Sequence, residues 1–312
     1  MNKLIASIFV LSGSASYGML STMTKLSYGA GFSTADIVGS SNFIACIIFW
    51  LCCFPQWKEM LSLPRKVIGA LITSGCCTAL TGVFYYLSLQ SLSASFAVIL
   101  LFQFTWIGII FDWVYRKNKP SKQQWIAVSF ILLGTFLAVG QVDFSQQGSI
   151  TGIGLGILSA ISYALFINFS GHVAIAIPTL IRNAWMVTGA LILSFIIFPP
   201  QFLWNGSVQN GLWFWGGFMA IFGAVVPVYL FAKGVPTIGI GMAGIFGAIE
   251  LPVVIIFSSY LLKEQTTLVQ WLGVGIIFMG ILISVGKQLK ESVKDFRSSN
   301  KVVDSAIRKE VS

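Results

Sequence analysis

The chain has 312 residues, of which 56% are hydrophobic and only 9% charged, with a mean hydropathy of +0.86. Soluble domains carry about 25% charged residues, so the composition excludes one and describes a polytopic membrane protein. The net charge of +9 does not mark a nucleic-acid surface, because the basic residues sit between apolar runs and not on one face.

A helical bilayer crossing needs about 20 predominantly apolar residues. By that criterion the sequence divides into about ten runs, near 4–27, 35–54, 67–90, 93–115, 123–140, 149–170, 178–198, 211–233, 237–261 and 268–286. The first run reads as a span and not as a cleaved signal, since no small-residue cleavage site follows a short apolar core. The five cysteines, Cys46, Cys52, Cys53, Cys76 and Cys77, fall inside apolar runs and are expected as buried thiols. The segment from 288 to 312 is a polar, charged tail.

The loops set the orientation. With the N-terminus inside, inner segments hold Lys3, Lys58, Arg65, Lys66, Arg116, Lys117, Lys119, Lys122 and Lys233, against Lys25 and Lys263 outside. The positive-inside rule then places both termini in the cytoplasm of a multi-pass protein of the cell membrane.

An internal repeat runs through these spans. Ser16-Tyr17 recurs as Ser162-Tyr163, Gln124-Trp125 as Gln270-Trp271 and Gly134 as Gly280, and each pair has the same offset: 163 − 17, 271 − 125 and 280 − 134 all give 146. Each half, 1–146 and 147–287, then holds five spans. Five is odd, so the second copy enters from the opposite face, and a site is expected near mid-bilayer between the halves.

The ninth run, within Val235–Glu264, carries the features that an anchor would lack. Glu250 lies near its middle, where a carboxylate costs about 2.5–3.5 kcal/mol on insertion scales. Pro252 follows, and its missing N–H releases the carbonyl of Ala248 and marks a helix break. The small residues Gly239, Ala243 and Gly247 let another helix approach closely. Glu250 therefore reads as a reversible protonation site or an anchor for a substrate ammonium; the competing role is a carboxyl that holds spans four and nine together. Gln103, about ten residues into span four, lies ~15 Å deep at helical rise, level with Glu250 and able to face it across the pseudo-twofold axis. Gln103 and Trp106 share a helix face and present an amide and a ring either to cargo or to a neighbouring helix. Tyr17 and Tyr163 occupy equivalent repeat positions, while Tyr85, Tyr86 and Tyr229 bring further hydroxyl-bearing rings to spans three and eight. Cavity lining competes with packing for each tyrosine. Arg182 and Asn183, a turn inside the inner end of span seven, are expected to snorkel to the cytoplasmic interface, with phosphate binding as the competing role. Phosphate-cradling glycine motifs, metal-ligand clusters and hydrolase elbows do not occur in the sequence, so no enzyme activity, metal or cofactor is expected.

Four stretches resemble the EamA-type transporters of the drug/metabolite transporter superfamily: YGMLSTMTKLSYGAGFS at Tyr17–Ser33, SLSASFAVILLFQFTWIGIIFDW at Ser91–Trp113, GVPTIGIGMAGIFGAIELP at Gly234–Pro252 and LLKEQTTLVQWLGVGIIFMGI at Leu261–Ile281. The resemblance covers about residues 4–286. It implies an all-α fold of ten transmembrane helices in a five-plus-five inverted-topology repeat. It also implies a central cavity lined by spans one, three, four, six, eight and nine. The function it implies is secondary transport, with export of small amphiphilic metabolites such as amino acids, or alternatively multidrug efflux. The partners are then a small-molecule substrate and the lipid bilayer, with no nucleic acid; oligomeric state stays open. One departure is Gln103-Phe104-Thr105, where many relatives carry a proline, so the break is expected in span nine alone.

Overall fold

The computed structural model describes residues 2–88, 91–92, 94–117, 119–139, 150–261, 263, 266–284 and 286; the predicted tail lies outside them. Its long apolar helices are α1 (Lys3–Gly29), α2 (Thr34–Cys52), α3 (Arg65–Ser88), α4 (Ala94–Leu101), α5 (Phe104–Arg116), α6 (Lys122–Val139), α7 (Ile150–His172) and α8 (Thr179–Ile197). They continue with α9 (Val208–Ile238), α10 (Ile240–Gly247), α11 (Glu250–Leu261) and α12 (Leu268–Ser284). Counting α4–α5 and α10–α11 as one broken span each, eight spans are long and apolar enough to cross a membrane; α6 and α12 are shorter. No strand occurs among the described residues.

Local chemistry explains where these helices begin. Ser33 and Asp36 form a capping box at α2, the serine hydroxyl accepting from Asp36 N while the carboxylate accepts from Ser33 N at 3.0 Å. The Gln-Trp pair that first betrayed the repeat is the same device used twice. At α6, Gln124 Oε1 accepts from Ser121 N at 2.8 Å; at α12, Gln270 Oε1 accepts from Thr267 N, also at 2.8 Å. A capping box exposes no chemistry, so it marks the start of the fifth helix of each half and nothing more.

The break was expected in span nine alone, and the structure corrects this. Helix α4 ends at Leu101 and α5 starts at Phe104; α10 ends at Gly247 and α11 starts at Glu250, so both breaks fall at the same repeat position, 247 − 101 and 250 − 104 giving 146. Both turns tighten to i→i+3 bonds, Thr105 N to Phe102 O at 3.2 Å and Leu251 N to Ala248 O at 3.3 Å. In span nine the cause is Pro252. In span four Trp106 stands in its place, and side chains compete with the backbone instead. Gln103 Nε2 donates to Ile99 O at 2.9 Å and Thr105 Oγ1 to Phe102 O at 3.0 Å.

Packing joins the halves. Helix α3 lies against α7 and α8, and its counterpart α9 against α1 and α2; α2 packs on α8 and α5 on α10. One apolar core runs from Val10 to Ile281 and draws on both halves. The fifth helices meet reciprocally. A Cβ on Gly134 would lie 2.7 Å from Gly273 O and 2.7 Å from Ile277, and one on Gly280 would lie 2.9 Å from Ala127 O and 3.1 Å from Ile131. Because 273 − 127 and 277 − 131 are again 146, these are one contact made twice. The earlier residue of α6 meets the later residue of α12, so the two equivalent helices run antiparallel about a local twofold.

Two expectations about polar side chains fail. Cys52 is exposed, while Cys53 and Cys77 are buried as expected. Arg182 does not snorkel: it is 2% exposed.

Candidate functional site

The first helices of the two halves, α1 and α7, bring their repeat-equivalent tyrosines together. The rings of Tyr17 and Tyr163 meet edge to face at 6.1 Å with an interplanar angle of 81°. This is the favoured arrangement for an aromatic pair, since the positive edge of one ring meets the negative face of the other. Around them stand Phe231, 6.1 Å from Tyr17, Phe166, 6.1 Å from Tyr163 and 5.9 Å from Phe231, and Phe104, 4.5 Å from Tyr163. Both phenol hydroxyls are buried and neither has a hydrogen-bond partner.

Glu250 opens α11 directly beside this cage and is partly buried. It lies close enough to interact electrostatically with both tyrosines. Helix α1 comes this near because residue 18 is glycine: a Cβ there would stand 2.5 Å from the Glu250 carbonyl oxygen and 2.8 Å from Val253 Cβ. The repeat partner of Glu250 is Phe104, not Gln103, and Phe104 is the ring that packs against Tyr163. A carboxyl group, two unpartnered phenols and three phenylalanine rings suit a cation, through the carboxylate and the ring quadrupoles together. The same carboxyl is also able to take up and release a proton.

The remaining predicted residues are dispersed. Gln103 and Trp106 sit in the α4–α5 break, where Trp106 Nε1 donates to Gln103 Oε1 at 2.8 Å, so the carboxamide is engaged at both ends by its own helix. Pro252 lies buried in the first turn of α11, just past the break. Tyr85 is on α3, at the repeat position of Phe231. Tyr86 is on α3 as well, and its side chain lies outside those described. Tyr229, on α9, has Lys233 Nζ at 5.2 Å from its ring centroid and lines an apolar cleft of about 260 Å³ with Ile48, Phe49 and Leu180. It is therefore not part of the Tyr17–Tyr163 cage. No group of three potential metal ligands occurs among the described residues.

Sequence reasoning missed the phenylalanines of the cage and the pair Thr22 and Asn168. Those two are repeat-equivalent, 168 − 22 being 146, and are buried with Thr22 Oγ1 and Asn168 Nδ2 unpartnered. Applying the offset to every buried position, and not only to identical residues, would have exposed both sets.

Known proteins carry the same two-part layout. A family model described as the EamA-like transporter family matches residues 4–140 and again 150–286. An uncharacterized transporter of Bacillus subtilis, YcbK, is 25% identical over 300 residues, covering 92% of this chain and 95% of that protein. An uncharacterized transporter of Synechocystis, sll1319, is 23% identical over 235 residues, covering 73% and 70%. A solved crystal structure superposes with a TM-score of 0.73 at 13% identity, over 89% of this chain and 96% of the other, and so shares the fold. Two matches that each hold one set of five predicted runs, on either side of residues 140–150, make the chain a member of the EamA-like transporter family.

Proposed function

We propose that this transporter is a secondary exporter of the cytoplasmic membrane, with both termini inside. Its cargo is a small amphiphilic metabolite bearing an amino group, such as an amino acid, moved by alternating access of two oppositely inserted five-helix halves. The observation that carries the reading is the ring contact of Tyr17 and Tyr163, equivalent residues of the two halves, in an aromatic cluster near Glu250. The antiparallel contact of α6 with α12 supports the inverted repeat, because a twofold that reverses equivalent spanning helices lies in the membrane plane. The basic inner loops support the orientation. Glu250 anchors the cargo ammonium in one half-cycle and takes a proton in the other, so that proton entry drives exit of the cargo.

The test is amine-bearing metabolite flux in proteoliposomes with an imposed pH gradient. Glu250→Gln is expected to fold and to lose any response of flux to the gradient; a variant that follows the gradient as the wild type does refutes the proton role. The aromatic character of the cage favours multidrug efflux as the second reading, since Phe104, Phe166 and Phe231 suit lipophilic cations as well as a metabolite side chain. Competition of lipophilic cations with amino acids, at similar affinity and with little dependence on Glu250, favours efflux over metabolite export.

A further inference from the structure

The least solvent-exposed charged side chain among the described residues is not Glu250. Arg182, in the second turn of α8, is 2% exposed, and its guanidinium donates to two backbone carbonyls, Ser170 O at 2.9 Å and Ala232 O at 3.2 Å. Both carbonyls need it. Ala232 would bond the N–H four residues on, but that residue is Pro236, and Ser170 lies in the last turn of α7. These bonds hold the arginine in place without cancelling its charge, since neither acceptor is a carboxylate. The α7 C-terminus favours a cation there, while the α8 N-terminus beside it favours an anion.

Other polar side chains at the C-terminal end of α7 and the N-terminal end of α8 lack partners. Arg182 Nε, both Asn183 Nδ2 and Oδ1, Trp185 Nε1, Asn168 Nδ2 and Ser170 Oγ are all buried and unpartnered. Asn183 is 0% exposed, Asn168 3% and Ser170 0%. Buried polar groups are ordinarily satisfied, and unpartnered N–H donors on the two helix ends that meet at one uncancelled cation leave an interaction incomplete.

We propose that Arg182, with Asn183, Trp185 and Ser170, is an anion-recognition site for the carboxylate of the transported solute. A single guanidinium balances one negative charge, which fits a monoanion better than a phosphate dianion. Its burial suits a small solute that enters when the halves open, and not a lipid headgroup arriving from the side. Ser170 is seven residues beyond Tyr163 on α7, ~10 Å along the helix, so this is a second station and not part of the tyrosine cage. Calling the ligand cargo rests on the transport reading; the site itself does not.

The test uses the purified full-length protein in phosphatidylcholine nanodiscs, with thermal unfolding followed while propionate replaces chloride at fixed pH and ionic strength. The wild type is expected to show a saturable rise in Tm, which Arg182→Met abolishes. Asn183→Ala and Ser170→Ala leave the two carbonyl bonds of Arg182 intact and so are expected to fold, each compared with its own anion-free Tm. Each is expected to weaken the propionate midpoint roughly tenfold or more, as for loss of a hydrogen bond to a charged group. Should Arg182→Met fail to fold, those two variants decide. No saturable shift in the wild type, or equal midpoints in all variants, overturns the proposal. Inorganic phosphate acting where propionate does not overturns the carboxylate assignment, and a shift seen only in phosphatidylglycerol nanodiscs reassigns the anion to lipid and overturns it too. Because the readout is binding, a propionate response without any flux would leave the anion site standing and sink the transport reading; Glu250-dependent flux without a propionate response would do the reverse.

Discussion

Removing the hydroxyls of Tyr17 and Tyr163 separates a site poised for cargo from an ordinary core. Both hydroxyls are buried and unpartnered, so in the resting protein each carries a desolvation cost of about 1–3 kcal/mol with no compensating bond. Tyr17→Phe and Tyr163→Phe keep the edge-to-face pair and lift that cost. Each variant should therefore be more stable than the wild type by about 1 kcal/mol or more, a rise in Tm of roughly 2 °C for a chain of this length. The rings touch, so the double variant is not expected to add the two gains. If the hydroxyls bond the cargo, the same variants raise the KM for transport by about tenfold, the loss of one hydrogen bond. Thermal unfolding in detergent and flux in proteoliposomes are measured on the same preparations. A fall in Tm in both variants would mean that the hydroxyls are satisfied in the resting state, and an unchanged KM would remove them from the site; either result refutes the reasoning.

The local twofold makes a quantitative demand: Gly134→Ala and Gly280→Ala place a Cβ against equivalent backbone, so each should cost about 1–3 kcal/mol and the two should agree closely, as thermal unfolding will show. Unequal losses would argue that the match at 146 residues is only approximate there. Gln103→Leu releases Ile99 O and Trp106 Nε1 together and should destabilise by about 1–3 kcal/mol with KM little changed, because the amide holds its own broken turn; a large KM effect with full stability would return it to the cargo site. Ser121→Ala and Thr267→Ala each remove one capping hydroxyl and should cost about 1 kcal/mol apiece, without effect on cargo specificity.

The broad plan was legible because hydropathy and charge are read in the same terms by sequence and bilayer. Among the described residues each predicted apolar run is largely helical, and the two repeat-equivalent tyrosines lie in ring contact. The failures have physical causes. The break in α4–α5 was hidden because a proline is the familiar signature of a broken helix, whereas Gln103 and Thr105 loosen the turn through side-chain bonds that depend on rotamers. Arg182 was assigned to the interface because long cations ordinarily reach it; the carbonyl that Pro236 frees, on a helix 50 residues later, could not be paired with it by periodicity. Tyr229 shares its ring type with the cage but sits on another face of α9, and hydropathy does not fix rotation about a helix axis.

The offset also separates what the duplication preserved from what it let go. Positions that set geometry are alike in both halves: the capping pairs Ser121–Gln124 and Thr267–Gln270, the breaks after Leu101 and Gly247, the close contacts at Gly134 and Gly280. The buried charges are not. Glu250 answers to Phe104, and Arg182 answers to Asp36, which is held at the α2 N-terminus by Ser33 and by Asn205. A frame with a twofold has two arrangements related by exchange of its halves, and a site that obeyed the same symmetry would offer the solute the same contacts in both. One carboxylate on one half, and one buried guanidinium on that same half, make the two arrangements chemically different. On the proposed transport reading, symmetry supplies the alternation, its breaking at positions 104/250 and 36/182 lets the two arrangements bind the solute differently, and the coupled gradient sets the direction of net movement.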